Sequence, residues 1–283
     1  MTVLQGIFLG ALQGIAEFLP ISSSGHLAIA QNLFGLSETP LLFDIFLHLA
    51  TLAAVCIYFR KKIWALLKCF ARWISRRPLV QNTGIEKEDS LCGTDELGRR
   101  TIIAIILSTV VTGVMGVITS KFIPEMPIKI ICIGFLVTSA LLIISAVVGK
   151  KSVHTVAKNT GVSKKQAIFI GFMQGIGTLP GISRSGSTIA GAMLCKVDRK
   201  TAGDYSFIIA IPAILGAFLL ELKDLGDVSE TVGALPLISG CLTSFIVGYL
   251  SLALLMRAIR NGKFQWFACY LIPAAILGLI FLK

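Results

Sequence analysis

The sequence predicts an all-α integral membrane protein built as an inverted-topology repeat, each half a re-entrant helix hairpin plus three transmembrane helices. Three observations carry this expectation. The 283 residues are 55% hydrophobic and 14% charged, with mean hydropathy +0.83, whereas a soluble domain carries about 25% charged residues. A 13-residue segment, Gln13–Gly25 (QGIAEFLPISSSG), returns as Gln174–Gly186 (QGIGTLPGISRSG), with seven positions identical and no gap; roughly one match is expected from ordinary residue frequencies. The cations, finally, collect in alternate segments between the apolar runs, as the positive-inside rule requires.

The first repeat occupies residues 1–150. Met1–Gln5 lacks a basic residue and no small-residue cleavage site follows, so the first apolar run is read as mature protein. Residues 2–19 are apolar with helical period, Pro20–Gly25 interrupts them, and 27–36 resume. A helix, a Ser/Gly break and a short helix fit a re-entrant hairpin over 2–36. Non-helical backbone at membrane depth is tolerated where protein or a water-filled cavity surrounds it. Spans follow at 40–59, 101–119 and 128–149. Between the first two lies a hydrophilic segment, 60–100. Its start, 60–77, interleaves Trp64, Leu67, Phe70 and Trp73 with cations and reads as an interfacial amphipathic helix. Residues 78–98 are polar and read as the segment most prone to disorder.

The second repeat, 165–283, follows the same plan: a hairpin over 165–195, then spans 203–222, 233–256 and 265–282. Three spans per half invert the second half relative to the first. With 60–100 placed in the cytoplasm, 150–164, 196–202 and 257–263 fall there too. The Lys/Arg bias toward that side is then about five to one, and the acidic segment 221–230 falls outside. One hairpin enters from each face, and their tips meet.

The net charge of +11 follows this topology, and no nucleic-acid partner is expected. Cys56, Cys69, Cys92, Cys132, Cys195, Cys241 and Cys269 show no metal-ligand or CxxC spacing and read as packing residues.

The repeated breaks hold the polar chemistry, unequally shared. Gln13 and Glu17 lie four apart on one helix face. A carboxylate inside an apolar helix faces a cavity or a partner. Glu17 is therefore a general base or metal ligand, or else the ion-pair partner of Arg184 in the other copy. Ser22, Ser23, Ser24 and Gly25 open a helix whose first N–H groups are unpaired and favour an anion. Ser183, Arg184, Ser185 and Gly186 repeat the construction with a guanidinium, which forks onto phosphate oxygens. Glu17 and Gln13 leave room for a divalent cation, Mg²⁺ or Ca²⁺, bridging phosphate oxygens. His26 lies within one turn of the serines, in a proton-transferring, nucleophilic or structural role. His48 reads as a local contact of Asp44, and His154 as a loop residue.

GALQGIAEFLPISSSGHL, FDIFLHLATLAAV and LPGISRSGSTI, in that order, resemble the undecaprenyl-diphosphate phosphatase family of bacterial inner membranes, the bacitracin-resistance phosphatases. The resemblance spans essentially the whole chain. The family's acidic motif, Glu or Gln, three residues, Glu, is met by Gln13 and Glu17 in its Gln form, so position 13 cannot act as a base. Its Pro-Gly-x-Ser-Arg-Ser-Gly motif is met by Pro180–Gly186. The resemblance implies hydrolysis of the C55 isoprenyl diphosphate to the monophosphate, with a divalent metal, on the outer side. It implies catalytic roles for Glu17, His26 and Arg184, and a nucleophilic or phosphate-binding serine among Ser22–Ser24. Ser22, Ser24, Gly25, Ser183, Ser185 and Gly186 would bind phosphate, with Glu17 and Gln13 on the metal. The expected partners are a polyprenyl diphosphate lipid and the membrane, and a homodimer is compatible. The nucleophile stays open among Ser23, His26 and water. The alternative function is a transporter or flippase of a phosphorylated lipid carrier, since inverted repeats and broken helices serve carriers as well as enzymes.

Overall fold

The computed structural model describes residues 1–35, 41–81, 83–86, 89–122, 127–152, 161–224 and 233–281. All regular structure in them is helical: α1 (Val3–Phe18), α2 (Ser23–Leu33), α3 (Leu41–Tyr58), α4 (Arg60–Ile74), α5 (Asp95–Phe122), α6 (Ile128–Ser152), α7 (Lys164–Ile176), α8 (Arg184–Leu194), α9 (Arg199–Asp224), α10 (Ala234–Arg260), a 3₁₀ turn (Phe264–Phe267) and α11 (Ala268–Phe281). The segments containing α5, α6, α9, α10 and α11 are long and apolar enough to cross a membrane, and α3 with α4 passes only as a pair bent by 78°. Large apolar side chains such as Val110, Val114, Leu250, Leu254 and Ile280 point outward, as lipid contact requires and water would not permit. The protein is a multi-pass membrane protein.

Both copies of the repeated motif are a helix, a break and a shorter helix. They also start alike. Thr2 accepts from Gln5 N–H at 3.2 Å while the Gln5 side chain accepts from Thr2 N–H at 2.8 Å. Ser163 and Gln166 do the same at 3.4 and 2.9 Å. These capping boxes fix where each helix begins. Thr2/Ser163 and Gln5/Gln166 keep the offset of the motif, so the duplication reaches about three turns beyond the segment that sequence comparison picks out.

Each leading helix packs on a long helix of the other half: α1 lies along α10, and α7 along α5. Small residues let these backbones touch. A Cβ on Gly10 would stand 2.2 Å from Gly240 O, and one on Gly171 would stand 2.6 Å from Ser108 O. Hydroxyls close the second seam, with Ser108 Oγ donating to Ala167 O at 2.7 Å and Thr112 Oγ1 to Gly171 O at 3.0 Å. One apolar core then links Phe18 and Ile21, at the first break, to Phe135, Ile189, Tyr205 and Leu252.

Two sequence expectations are corrected here. α5 starts at Asp95 rather than at 101. The Thr94 hydroxyl accepts from Leu97 N–H at 3.3 Å, and Asp95 and Glu96 occupy the first turn, where the helix dipole favours carboxylates. The segment 78–98, expected to be disordered, is tied down in its described part. Asp89 accepts from Leu91 and Cys92 N–H at 3.0 and 3.2 Å and pairs with Lys62, which also donates to Asp204 at 2.6 Å. Burial pushes Asp89 upward, but the Lys62 ammonium and its hydrogen bond more than offset this, leaving the carboxyl below the ordinary range. Leu91 and Cys92 are fully buried, and burial, with Asp89 alongside, pushes the Cys92 thiol up to about 12. Polar composition suggested a loose loop; Asp89 on Lys62 and Asp95 on Arg72 make it a strap joining α4, α5 and α9. His154 and the acidic stretch 225–230 lie outside the described residues.

Candidate active site

α1 ends by delivering Gln13 and Glu17, one turn apart and both buried, to the place where the two breaks meet. Glu17 is the centre of the cluster. Its Oε2 accepts from Ser23 Oγ at 2.7 Å and from Gln13 Nε2 at 3.1 Å. Its Oε1 accepts from Arg184 Nη2, across from the second copy. His48 Nε2 stands 3.7 Å from Oε2. Carboxylate, hydroxyl, amide and guanidinium thus come from α1, the first turn of α2 and the first turn of α8. The ion pair that sequence reasoning offered as an alternative role for Glu17 is formed, and the Ser23 bond is formed with it.

The breaks touch beyond that pair. Ser185 Oγ donates to Phe18 O at 2.9 Å. A Cβ on Gly186 would lie 3.1 Å from Pro20 Cβ. Ser183 caps α8, its Oγ accepting from Gly186 N–H at 3.1 Å, and its own N–H donates to Thr138 Oγ1 at 3.0 Å. The Ser185 hydroxyl therefore holds the second tip against the first, while the Ser183 hydroxyl is engaged within the second tip. On the first tip, Gly25 lies close to Phe135, where a Cβ would come within 2.6 Å. Ser24 is exposed, and Ser22 is buried with φ 71. Such a conformation is unfavourable for a residue with a Cβ and persists where its surroundings hold it.

His26 supplies that hold. Its Nδ1 hydrogen-bonds Ser22 O at 2.8 Å, and its Nε2 hydrogen-bonds Tyr270 Oη at 2.8 Å. The ring also stacks on Phe135, centroids 4.9 Å apart. Both nitrogens are occupied, and neither bonds to Glu17. His26 thus ties the strained Ser22 turn to Tyr270, while Ser23 and Arg184 each bond to Glu17.

Two site residues escaped the sequence reading. His48 contacts Asp44 as expected, but through the backbone: Nδ1 lies 2.8 Å from Asp44 O, which turns Nε2 toward Glu17. The Asp44 carboxylate accepts instead from Gln31 Nε2, at 3.1 Å to each oxygen. The signal was present, since Asp44, His48 and Thr51 recur at one-turn spacing on an apolar helix, the mark of a face turned to a cavity. Tyr270 gave no such signal; it lies 244 residues from His26.

A divalent cation fits this donor set in one way. Gln13 Oε1 is buried without a hydrogen-bond partner, on the side chain whose Nε2 donates to Glu17 Oε2, so the two residues offer hard oxygens from one helix face. Among the described residues no group of three or more His, Cys, Asp or Glu could hold an ion. An ion here would draw its remaining ligands from phosphate oxygens and water, the habit of Mg²⁺.

The family described as bacitracin resistance protein BacA matches residues 6–277. The undecaprenyl-diphosphatase of Treponema denticola is 45% identical over 276 residues, covering 98% of this chain and 96% of that protein. The undecaprenyl-diphosphatase of Desulforapulum autotrophicum is 38% identical over 284 residues, 99% and 98% of the two chains. That of Methanosphaera stadtmanae is 38% identical over 282 residues, 99% and 97%. With its motifs in one cluster and its length matched end to end, the chain belongs to the BacA bacitracin-resistance family.

Proposed function

We propose that this protein hydrolyses undecaprenyl diphosphate to undecaprenyl phosphate and phosphate, recycling the lipid carrier of cell-wall synthesis and conferring bacitracin resistance. The observation that carries the chemistry is the 2.7 Å hydrogen bond from Ser23 Oγ to Glu17 Oε2. Glu17 takes the Ser23 proton as Oγ forms a bond to the terminal phosphorus. The bridging P–O bond breaks, and undecaprenyl phosphate leaves with the electron pair. Glu17 passes that proton to the departing phosphate; it then deprotonates a water that attacks the phosphoserine, the P–Oγ bond breaks, phosphate leaves and Ser23 Oγ takes the proton back. Arg184 shifts from Glu17 onto the equatorial oxygens and balances the charge that builds there. A divalent ion held by Glu17 and Gln13 would further neutralise the diphosphate. His26 and Tyr270 keep the serine turn in place. A carrier would need Arg184 and the helix ends but no base bonded to a hydroxyl, so the Ser23–Glu17 pair favours hydrolysis.

The same reading extends to topology. Two hairpins re-enter from opposite faces of the bacterial inner membrane, within an inverted repeat, and the site opens to the outer side. The exchange of α1 onto α10 and α7 onto α5 supports the repeat, and the cation distribution supports the orientation. Phosphate release by the purified protein given a polyprenyl diphosphate, with and without chelator, tests the activity. Intact substrate in both arms would sink it.

A further inference from the structure

A second concentration of positive charge lies far from Glu17 in sequence, at the end of α4. That helix turns 78° from α3 at Phe59, so it runs along the membrane surface if α3 crosses. Ala65, Leu66 and Cys69 are buried against the body. The outer face carries Trp64, Leu67, Ala71 and Ile74 in one helical stripe, all exposed, with Lys61 and Lys68 beside it. Lys68 Nζ lies 5.3 Å from the Trp64 ring centre. An apolar stripe bordered by cations is the pattern of a helix seated among headgroups.

A pocket of about 440 Å³ opens where α4 stops, lined by Trp73, Ile74, Arg76, Arg77, Leu79 and Arg99 among others. Among the described residues no carboxylate lines it. Arg72, one turn back, is neutralised by Asp95. Arg76, Arg77 and Arg99 form no ion pair among the described residues. Arg99 lies over Trp73 at 5.7 Å, and its Nε is buried without a hydrogen-bond partner. Arg76 occupies the left-handed region at φ 51, the position after a helix that glycine usually fills. Its N–H bonds to Trp73 O at 3.1 Å and that of Arg77 to Arg72 O at 3.0 Å, turning the chain so that successive arginines flank the pocket.

The geometry points to a binding site here for the phosphate headgroup of an anionic phospholipid, in the leaflet on which α4 lies. Guanidinium forks from Arg76, Arg77 and Arg99 match phosphate oxygens. Exposed Ile74 and Leu79 offer apolar surface to the glycerol and upper acyl chain, for which a free anion has no use. The site is separate from the Glu17 cluster and independent of the proposed activity.

The test uses the full-length protein in nanodiscs of phosphatidylcholine alone or mixed with phosphatidylglycerol, followed by native mass spectrometry of the lipid retained after extraction. Wild type should keep phosphatidylglycerol in preference to phosphatidylcholine. R76Q/R77Q/R99Q should lose that preference by about tenfold or more, as removal of several cations from an anionic lipid surface predicts. R60Q/K61Q/K68Q removes the same formal charge from the body of α4 and should keep it. R76Q/R77Q alters only exposed side chains, so it keeps the test valid if Arg99 is needed for folding; it should lose preference several-fold. Unchanged retention in the pocket variants, or equal loss in the control, would overturn the site in favour of diffuse surface charge. Displacement of the lipid by excess inorganic phosphate would overturn the lipid assignment and leave a phosphate site.

Discussion

The Ser23 hydroxyl donates to Glu17 Oε2 across 2.7 Å, although the two residues stand on opposite sides of a helix break. That break turns six residues of sequence separation into a carboxylate and a hydroxyl in contact. Had α1 continued as one helix through Ser23, the positions would sit nearly two turns apart along the axis.

Glu17→Gln should leave substrate binding largely intact and lower turnover by roughly 10²-fold or more, the scale of a lost general base. Ser23→Ala should do at least as much. Lipid binding measured beside phosphate release separates the two effects. Wild-type turnover in Glu17→Gln would remove the base from the first copy of the motif.

Arg184→Lys keeps a positive charge but loses the fork, and the shorter reach of a point charge to two oxygens should cut activity sharply. A steady-state assay with a short-chain polyprenyl diphosphate measures this. Retention of full activity would mean that Arg184 supplies only net charge.

Chelation should abolish phosphate release and Mg²⁺ or Ca²⁺ should restore it, because the orphaned Gln13 Oε1 and Glu17 offer hard oxygens beside the diphosphate. Gln13→Leu, which removes the amide oxygen, should raise the metal concentration needed for half-maximal rate. An unchanged requirement would take Gln13 out of the metal's shell.

Gly10→Ala should destabilise the protein by about 1–3 kcal/mol, the usual cost of overpacking, because the new methyl meets backbone at Gly240. Gly113→Ala is the matched control, since a Cβ there meets nothing within 4 Å. Thermal melts in detergent compare them. Equal midpoints would show that the α1–α10 seam yields freely.

Cysteine introduced at Glu86, exposed on the strap, should react with an impermeant thiol reagent from the cytoplasmic side, and one at position 226 from the outside, each in a background lacking native cysteines. Labelling of both from one side would contradict the inverted repeat.

Much of this was legible in the chain. Apolar runs mark the helices because lipid leaves little alternative to a continuous helix. The copied motif brought Glu17, Ser23 and Arg184 forward because polar residues in such a setting need partners. Start points were less legible: Thr94 and Asp95 begin α5 in a polar stretch that hydropathy assigns to a loop. The partners of His26 were hidden because Tyr270 and Phe135, which engage its ring, share no local pattern with it. The strap residues Asp89 and Asp95 lie in a polar stretch, and only the fold brings Lys62 and Arg72 to them.

Glu17 and Arg184 are 167 positions apart, so the carboxylate leaves the ribosome long before its countercharge exists. At about 5–20 residues per second, that interval is on the order of ten seconds. During it a nascent chain entering the bilayer carries an acid whose final cation has not been made. Gln13 and Ser23 emerge within a few residues of Glu17 and donate to the same oxygen in the finished protein. The newborn segment therefore brings its own donors, able to solvate the acid from the start, and Arg184 completes that shell when the later half of the chain arrives.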